Sequence, residues 1–198
     1  MKRIIDLFFA FSAIIILIPL FLLISILIKS TSKGPIFFIQ NRVGRDAVIF
    51  KMIKFRTMYI DQNSNSTISV RGDKRITKIG AFLRRYKFDE LPELINVMLG
   101  DMSLVGPRPD VPGYADKLVG SFRVILKLRP GLTGPASLKY FNEEEILAQR
   151  KDPKHYNDTV IFPNKVRINL DYYHNQSIWL DIKIIFATIF RSFISEQE

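Results

Sequence analysis

Residues 7–28 read LFFAFSAIIILIPLFLLISILI, and this apolar run decides the broad class of the fold. It contains no charged residue, and its only hydroxyl groups belong to Ser12 and Ser25. As a helix, its 22 residues would be about 33 Å long, enough to cross the roughly 30 Å hydrocarbon core of a bilayer. A secretory signal peptide fits poorly, because the run is too long and no A-x-A cleavage site follows it. The run therefore predicts a helix that enters a membrane.

The residues leave two paths through the membrane open. Pro19 lies near the middle of the run, where its missing N–H and its ring kink or break a helix. The basic flanks are nearly symmetric, so the positive-inside rule selects no orientation. These flanks are Lys2 and Arg3 before the run, and Lys29 and Lys33 after it. A spanning helix and a re-entrant helix-break-helix, with both flanks on the cytoplasmic side, both fit this pattern.

The rest of the chain predicts a mainly helical α+β domain over residues 34–198, following a membrane anchor over residues 1–33. Residues 35–44 and 47–58 are rich in Ile, Val and Phe around a Gly-Arg-Asp turn, which favours a β-hairpin. The tail, residues 177–193, is apolar but too charged to span, and it fits a core helix or one lying in the membrane interface. Further helices are expected at 77–87, 89–99, 114–128, 143–149 and 163–174, with loops at 61–72, 101–112 and 129–134.

Composition narrows the classes of partner and of site. The chain has 198 residues, a net charge of +10 and no cysteine, which excludes disulfides, thiolate metal sites and a cysteine nucleophile. With two histidines, a histidine-rich metal site is also excluded. Most of the excess positive charge lies between Ile36 and Glu90. It indicates either a solvated face attracted to anionic lipid or a set of direct phosphate ligands, and net charge alone also admits nucleic acid.

The stretch with the most chemical content is LRRYKFDELPELINVMLGDMSLVGPRPD, residues 83–110. Asp89 is predicted to cap the following helix, with Pro92 in its first turn. This would place Asp89 and Glu90 at a helix N-terminus, beside the cations Arg84, Arg85 and Lys87. Such a carboxylate could attack phosphorus or bind Mg²⁺ together with substrate phosphates. Ordinary helix capping explains the same pattern without any catalysis.

Two turns present an arginine on a stiff backbone. Arg108 lies between Pro107 and Pro109, and Arg129 precedes Pro130 and Gly131. Proline fixes φ, so each guanidinium is aimed in advance, although an Arg-Pro turn is often only a turn.

With these motifs, the chain resembles the bacterial sugar transferases, the monotopic phosphoglycosyl transferases. The similarity covers KRIIDL at residues 2–7, KFRTM at 54–58, RRYKFDELPELINVMLGDMSLVGPRP at 84–109 and LRPGLTG at 128–134. It implies transfer of a sugar-1-phosphate from a UDP-sugar to polyprenyl phosphate, with Mg²⁺. UMP leaves first, and a covalent phosphosugar-enzyme intermediate forms.

The resemblance also implies roles for individual residues. Asp89 matches the nucleophile and Glu90 its acidic partner, both near the metal. The matching basic residues are Arg84 toward phosphate, Arg108 and Arg129 near the nucleotide sugar, and Lys54 and Arg56 lining the site. The resemblance favours the re-entrant form, with Ile18-Pro19 in place of the family's Ser-Pro pair at the break. Arg3 and Asp6 match N-terminal positions of the family.

The expected setting is the cytoplasmic face of the bacterial inner membrane, with anionic phospholipid and no nucleic acid as a partner. Two other interpretations compete with the transferase. One is a membrane-anchored basic binding module, whose affinity would fall steeply with salt. The other is a membrane scaffold, which gives no reason for arginines clustered beside paired carboxylates.

Overall fold

The computed structural model of the protein describes residues 1–59 and 75–194. The long polar loop expected at residues 61–72 lies outside these described residues. Helices and strands in chain order are α1 Lys2–Thr31, β1 Phe37–Val43, β2 Ile49–Phe55, α2 Lys78–Arg85, α3 Glu93–Leu99, β3 Ser103–Val105, β4 Gly131–Thr133, α4 Pro135–Lys139, α5 Glu143–Ala148, α6 Pro153–Tyr156, α7 Phe162–Asn175 and α8 Ile178–Ile194. The α+β, mainly helical class is confirmed.

Helix α1 runs without interruption from Lys2 to Thr31, with Pro19 inside it. The family resemblance implies a break at this proline, and the structure has one helix there. In the described ranges, α1 is the one helix long and apolar enough to cross a membrane, by length and composition. Its re-entrant path in a bilayer stays a prediction.

Both halves of α1 pack on the rest of the protein. In the first half, Ala10 is buried against Phe50, Leu94 and Met102. In the second half, Ile24 and Ile28 are buried against Phe55 and Leu83. The opposite side of α1 leaves a row of large apolar side chains exposed, including Phe8, Phe11, Ile15, Leu22 and Ile26. One side of the helix therefore belongs to the core of the domain, and the other side remains uncovered.

The predicted β-hairpin is confirmed. Strands β1 and β2 pair antiparallel, from Phe37 opposite Phe55 to Val43 opposite Ile49. A short 3-10 turn, Arg45–Ala47, joins them, with Asp46 and Ala47 at positive φ.

Helix α2 forms as predicted, and the side chain of Thr77 caps it by accepting from the amide of Gly80 at 2.8 Å. The single helix predicted over residues 89–99 is instead a 3-10 turn, Phe88–Glu90, followed by α3. Pro92 occupies the N-cap position of α3, so the expectation that Asp89 caps this helix is wrong. Gly100 ends α3 at φ 99°.

The two proline-rich stretches predicted as loops contain a pair of short parallel strands. Strand β3 pairs with β4, with Ser103 opposite Gly131 and Val105 opposite Thr133. The pairing requires glycine, because a Cβ added to Gly131 would lie 2.1 Å from the amide nitrogen of Gly106. The stretch predicted as one helix over residues 114–128 forms two 3-10 segments, Ala115–Lys117 and Gly120–Lys127.

The helices predicted at 143–149, at 163–174 and in the tail are confirmed as α5, α7 and α8, whereas the short helices α4 and α6 were not predicted. A π-helical turn, Asn157–Ile161, joins α6 to α7, so the helical path starts at Pro153, directly after its cap Asp152. Helix α8 packs on β3 and β4, where the hydroxyls of Thr188 and Thr133 are 2.6 Å apart.

Candidate active site

Glu90 is the centre of a buried cluster of charges. Strand β2 supplies Lys54, whose Nζ donates to Glu90 Oε1 at 2.9 Å. The Pro-Arg-Pro turn supplies Arg108, which donates through Nη1 to Oε2 at 3.1 Å and through Nη2 to Oε1. Burial alone would raise the pKa of Glu90, but Arg108 and Lys54 hold it well below its usual range. Glu90 is therefore a permanently ionised anchor for two cations.

Glu93 is a third carboxyl group close to Lys54. Only 1% of the residue is exposed, and its Oε1 lies 3.3 Å from Lys54 Nζ without forming a hydrogen bond. Burial raises the pKa of Glu93 to about 7, although Lys54 acts in the opposite direction. Glu93 was not predicted from the sequence as a site residue. Its signal was the spacing of three from Glu90, which places two helical residues on one side.

Asp89 is buried, and its Oδ1 has no hydrogen-bond partner. Burial and the neighbouring Glu90 raise the pKa of Asp89 to about 6, against the lowering effect of Lys54, Lys87 and Arg84. Near neutral pH the carboxyl group is thus mostly ionised, and one oxygen is left unsatisfied. An ionised oxygen that no donor solvates is suited to attack an electrophile or to bind a cation.

Two more cations lie around Asp89. Arg84 forms an ion pair with Glu144 of α5. Lys87 adopts a left-handed conformation at φ 58°, directly before the turn that carries Asp89, and its Nζ lies 5.6 Å from the ring centroid of Phe141. A residue with a Cβ rarely adopts the left-handed conformation. Residues that do so are strained by about 1–3 kcal/mol, and they cluster at functional sites.

Arg56 and Arg129 have other contacts. Arg56 is buried and donates to the carbonyls of Lys33 at 2.9 Å and Ser32 at 2.8 Å, just after the end of α1. Arg129 donates through Nε to the carbonyl of Gly100 at 2.9 Å, at the C-terminal end of α3. The structure thus brings Lys54, Arg84 and Arg108 to the carboxylates, while Arg56 and Arg129 contact helix ends.

Arg3 and Asp6, which match N-terminal positions of the family, both form hydrogen bonds with other parts of the domain. Arg3 donates to the carbonyl of Val97 at 2.6 Å and so also binds the end of α3. Asp6 is buried, and it accepts from the hydroxyl of Ser103 at 2.8 Å and from the amide of Leu104. These contacts fasten the start of α1 to the elements that carry the site.

Arg42 supports the turn that presents Arg108. It donates through Nη1 to the carbonyl of Pro109 at 3.0 Å, and the amide of Val43 donates to the carbonyl of Asp110 at 2.9 Å. The side chain of Arg108 itself is 35% exposed. Arg108 therefore holds Glu90 with its guanidinium while its side chain remains partly exposed.

The donor set bears on the expected Mg²⁺. Within residues 1–59 and 75–194, no group of three or more His, Asp or Glu side chains forms a metal cluster. Mg²⁺ in phosphate-transfer sites needs one or two carboxylates, since substrate phosphates and water complete its shell. The unpartnered Asp89 Oδ1 fits that demand, whereas both oxygens of Glu90 already accept from cations.

Comparison with known proteins matches residues 1–195 to the bacterial sugar transferase family. The UDP-glucose:undecaprenyl-phosphate glucose-1-phosphate transferase of Klebsiella pneumoniae is 35% identical over 200 residues, covering 99% of this chain and 41% of that protein. The UDP-N-acetylgalactosamine-undecaprenyl-phosphate N-acetylgalactosaminephosphotransferase of Aeromonas hydrophila is 36% identical, covering 95% and 42%. The exopolysaccharide production protein PSS of Rhizobium leguminosarum bv. phaseoli is 38% identical, covering 96% and 93%.

The chain spans about two fifths of the Klebsiella and Aeromonas relatives and nearly all of the Rhizobium one. The matched part holds the buried carboxylates, their cations and the apolar helix α1. With a family match that runs from residue 1 to residue 195, this chain belongs to the bacterial sugar transferase family.

Proposed function

We propose that the protein transfers a sugar-1-phosphate from a UDP-sugar to polyprenyl phosphate, releasing UMP. The observation that carries this proposal is the buried Asp89 carboxyl group, which has an unpartnered oxygen and is surrounded by Lys54, Lys87 and Arg84. The names of the Klebsiella and Aeromonas relatives support the same substrate classes.

In the first step, an Asp89 carboxylate oxygen attacks the phosphorus atom that bears the sugar. The new O–P bond forms as the bond to the UMP oxygen breaks, and UMP leaves with that electron pair. In the second step, a phosphate oxygen of the polyprenyl phosphate attacks the same phosphorus, and Asp89 leaves as a carboxylate. The product is a polyprenyl-diphosphate sugar, and Asp89 returns to its starting state.

The surrounding residues stabilise charge and fix geometry. Arg108, positioned by Glu90 and partly exposed, would bind a phosphate group through N–H groups that do not contact Glu90. Lys54 balances the negative charge that three carboxyl groups and a diphosphate bring together. Asp89 and Glu90 would hold Mg²⁺, Glu90 by exchanging one of its cation contacts. The bound ion would neutralise charge on the diphosphate.

We also propose that α1 enters the cytoplasmic leaflet of the inner membrane and returns to the same side. The contacts of its first half with α3 and β3, and of its second half with β2 and α2, support this path. A helix crossing to the opposite side could not keep both sets of contacts with one domain. Basic residues near the surface would add attraction to anionic phospholipid, and no nucleic acid takes part.

Asp89→Asn tests the proposal. The amide is a poor nucleophile of nearly the same shape, so release of UMP from a panel of UDP-sugars should fall at least about a thousandfold. Binding to vesicles should persist. Asp171→Asn, which neutralises an exposed carboxylate on α7, is the matched control and should keep full turnover. Unchanged turnover in Asp89→Asn would refute the nucleophile, and no UMP release from any UDP-sugar by the unaltered protein would refute the function.

A further inference from the structure

Three aromatic side chains form a cluster, the aromatic trio, directly before the proposed nucleophile. The trio consists of Phe82, Tyr86 and Phe88. The ring centroids of Phe82 and Tyr86 are 4.8 Å apart, those of Tyr86 and Phe88 are 5.9 Å apart, and those of Phe82 and Phe88 are 6.2 Å apart. All three rings therefore touch one another on one side of α2 and its following turn.

The trio is only partly a core element. Phe82 is 52% exposed, on a helix whose other exposed residues include Lys78 and Arg85. Phe88, in contrast, packs against the cluster formed by the second half of α1, together with Leu20 and Phe21. The outward side of this half of α1 exposes Leu22, Leu23 and Ile26. The trio thus adjoins the second half of α1, and both present exposed apolar side chains.

The other end of the trio reaches the reacting group. Phe88 and Asp89 are neighbours in one 3-10 turn. Basic residues alternate with the aromatic ones along this segment, at Arg84, Arg85 and Lys87. The Arg85 guanidinium lies over the Tyr86 ring, 5.7 Å from its centroid. The positive charges of Lys87 and Arg84 both lower the pKa of Asp89. The trio therefore lies directly before a carboxylate that is surrounded by cations.

This arrangement matches an amphiphile with one phosphate head and one long hydrocarbon tail. The head would meet the cations beside Asp89, while the units next to it would cover the exposed Phe82 ring and remove its apolar surface from water. A UDP-sugar has no such tail. We propose that the aromatic trio binds the first isoprene units of the polyprenyl phosphate acceptor and so selects the acceptor, an inference that rests on the proposed function.

Phe82→Ala in the full chain, reconstituted in nanodiscs, tests the inference because the two half-reactions can be read separately. The KM for polyprenyl phosphate should rise about tenfold, as expected for losing part of an aromatic contact. The burst of UMP released from the UDP-sugar without acceptor should keep its amplitude and rate. Phe82→Leu, which keeps an apolar side chain, should recover most of the loss.

Phe122→Ala is the matched control, since Phe122 is 40% exposed on the 3-10 segment that packs on α7. It should change neither the acceptor KM nor the UMP burst. An unchanged acceptor KM in Phe82→Ala overturns the inference. So does a loss of vesicle binding with no change in that KM, which would make the trio a bilayer contact. Absence of the UMP burst in the unaltered protein would instead overturn the proposed function.

A second measurement needs no substitution. A polyprenyl phosphate carrying a diazirine on its first isoprene unit should, on irradiation, label the unaltered protein within residues 82–88. Competition by unlabelled polyprenyl phosphate should remove the label, whereas added phospholipid should not. Labelling confined to other parts of the chain would refute the trio as the binding surface for the acceptor.

Discussion

At the scale of single residues, three buried carboxyl groups differ in their charge states because their partners differ. Glu90 accepts from Arg108 and Lys54, which keep its pKa well below the usual range despite burial. Asp89 and Glu93 are buried with fewer compensating contacts, and their pKa values rise to about 6 and about 7. The cluster can thus hold one fixed anion, one reactive carboxylate and one group that carries a proton near neutral pH.

Glu93 should make stability depend on pH. Burial raises its pKa from 4.5 to about 7 in the folded chain, so the folded state binds more protons than the unfolded state between these values. Stability that is present below pH 4.5 is therefore lost as the pH rises toward 7. Glu93→Gln should remove this loss, so between pH 4.5 and 7.5 the variant should gain about 3 kcal/mol in stability relative to the unaltered protein.

The measurement is urea unfolding in detergent at the two pH values. Asp171→Asn, at an exposed position of α7, serves as the control and should leave the pH dependence as it is. Parallel pH profiles for Glu93→Gln and the unaltered protein would contradict the assignment of a proton to Glu93.

Catalysis should show a pH dependence of its own. Asp89 must be ionised to attack, and burial with the neighbouring Glu90 raises its pKa to about 6. The kcat/KM for the UDP-sugar should therefore fall as the pH drops below about 6. Lys54 lowers this pKa, so Lys54→Met should move the acid limb to higher pH. An acid limb that stays in place in Lys54→Met would show that Lys54 does not act on the nucleophile.

At the scale of elements, the short parallel pair β3–β4 places Arg108. The amide of Gly131 donates to the carbonyl of Pro107 at 2.8 Å, and the amide of Gly106 donates to the carbonyl of Thr133 at 2.9 Å. Both bonds need backbones that approach more closely than a Cβ allows. The Pro-Arg-Pro and Arg-Pro-Gly motifs therefore pair with each other through β3 and β4. Together they position the guanidinium of Arg108 beside Glu90.

Gly131→Ala tests this arrangement. The added methyl group would lie 2.1 Å from the amide nitrogen of Gly106, so the strands must separate. We expect a loss of about 3 kcal/mol in stability, typical of overpacking, together with a larger KM for the UDP-sugar. Gly120→Ala is the graded control: its φ of 59° is strained, but nothing lies within 4 Å of the new Cβ, so about 1 kcal/mol is expected. Equal effects in thermal unfolding would contradict the role of close backbone contact.

Elements with a strong repeating pattern were predictable from the sequence, and those set by tertiary contacts were not. The hairpin follows from runs rich in Ile, Val and Phe around a turn, and α2 follows from the helical spacing of its apolar residues. Strands β3 and β4 have three residues each, too few for a pattern, and exist because their glycines allow close pairing. Asp89 was found as a carboxylate beside cations, but its place in a 3-10 turn depends on the left-handed Lys87 before it. Arg56 belongs to the same KFRTM motif as Lys54, so the sequence does not distinguish the two. In the fold, Arg56 contacts the residues that follow α1 instead of the carboxylates.

At the scale of the whole molecule, α1 is fastened at both ends to one domain. Its start binds through Lys2 to Asp181 of α8 and through Asp6 to Ser103, and its end binds through Ser32 to Arg56. These contacts, together with the buried residues between them, make α1 a part of the domain rather than a separate tether.

Labelling of single cysteines should report this arrangement, and the chain has no cysteine to interfere. Lys2→Cys and Lys33→Cys should both react with a membrane-impermeant maleimide from the cytoplasmic side, because both flanks of α1 stay with the domain. Lys154→Cys, exposed at the surface of the domain, marks the side on which the domain lies. Labels on opposite sides for Lys2→Cys and Lys33→Cys would refute the re-entrant path.

The hydrogen bonds from Arg56 to the residues that follow α1 affect how the protein adapts to bilayers of different thickness. A transmembrane helix that is free at one end accommodates a change in bilayer thickness by tilting. Tilting α1 would pull Ser32 and Lys33 away from Arg56, or Asp6 away from Ser103. Its depth is therefore set by the domain, and hydrophobic mismatch must be absorbed by deformation of the surrounding lipid.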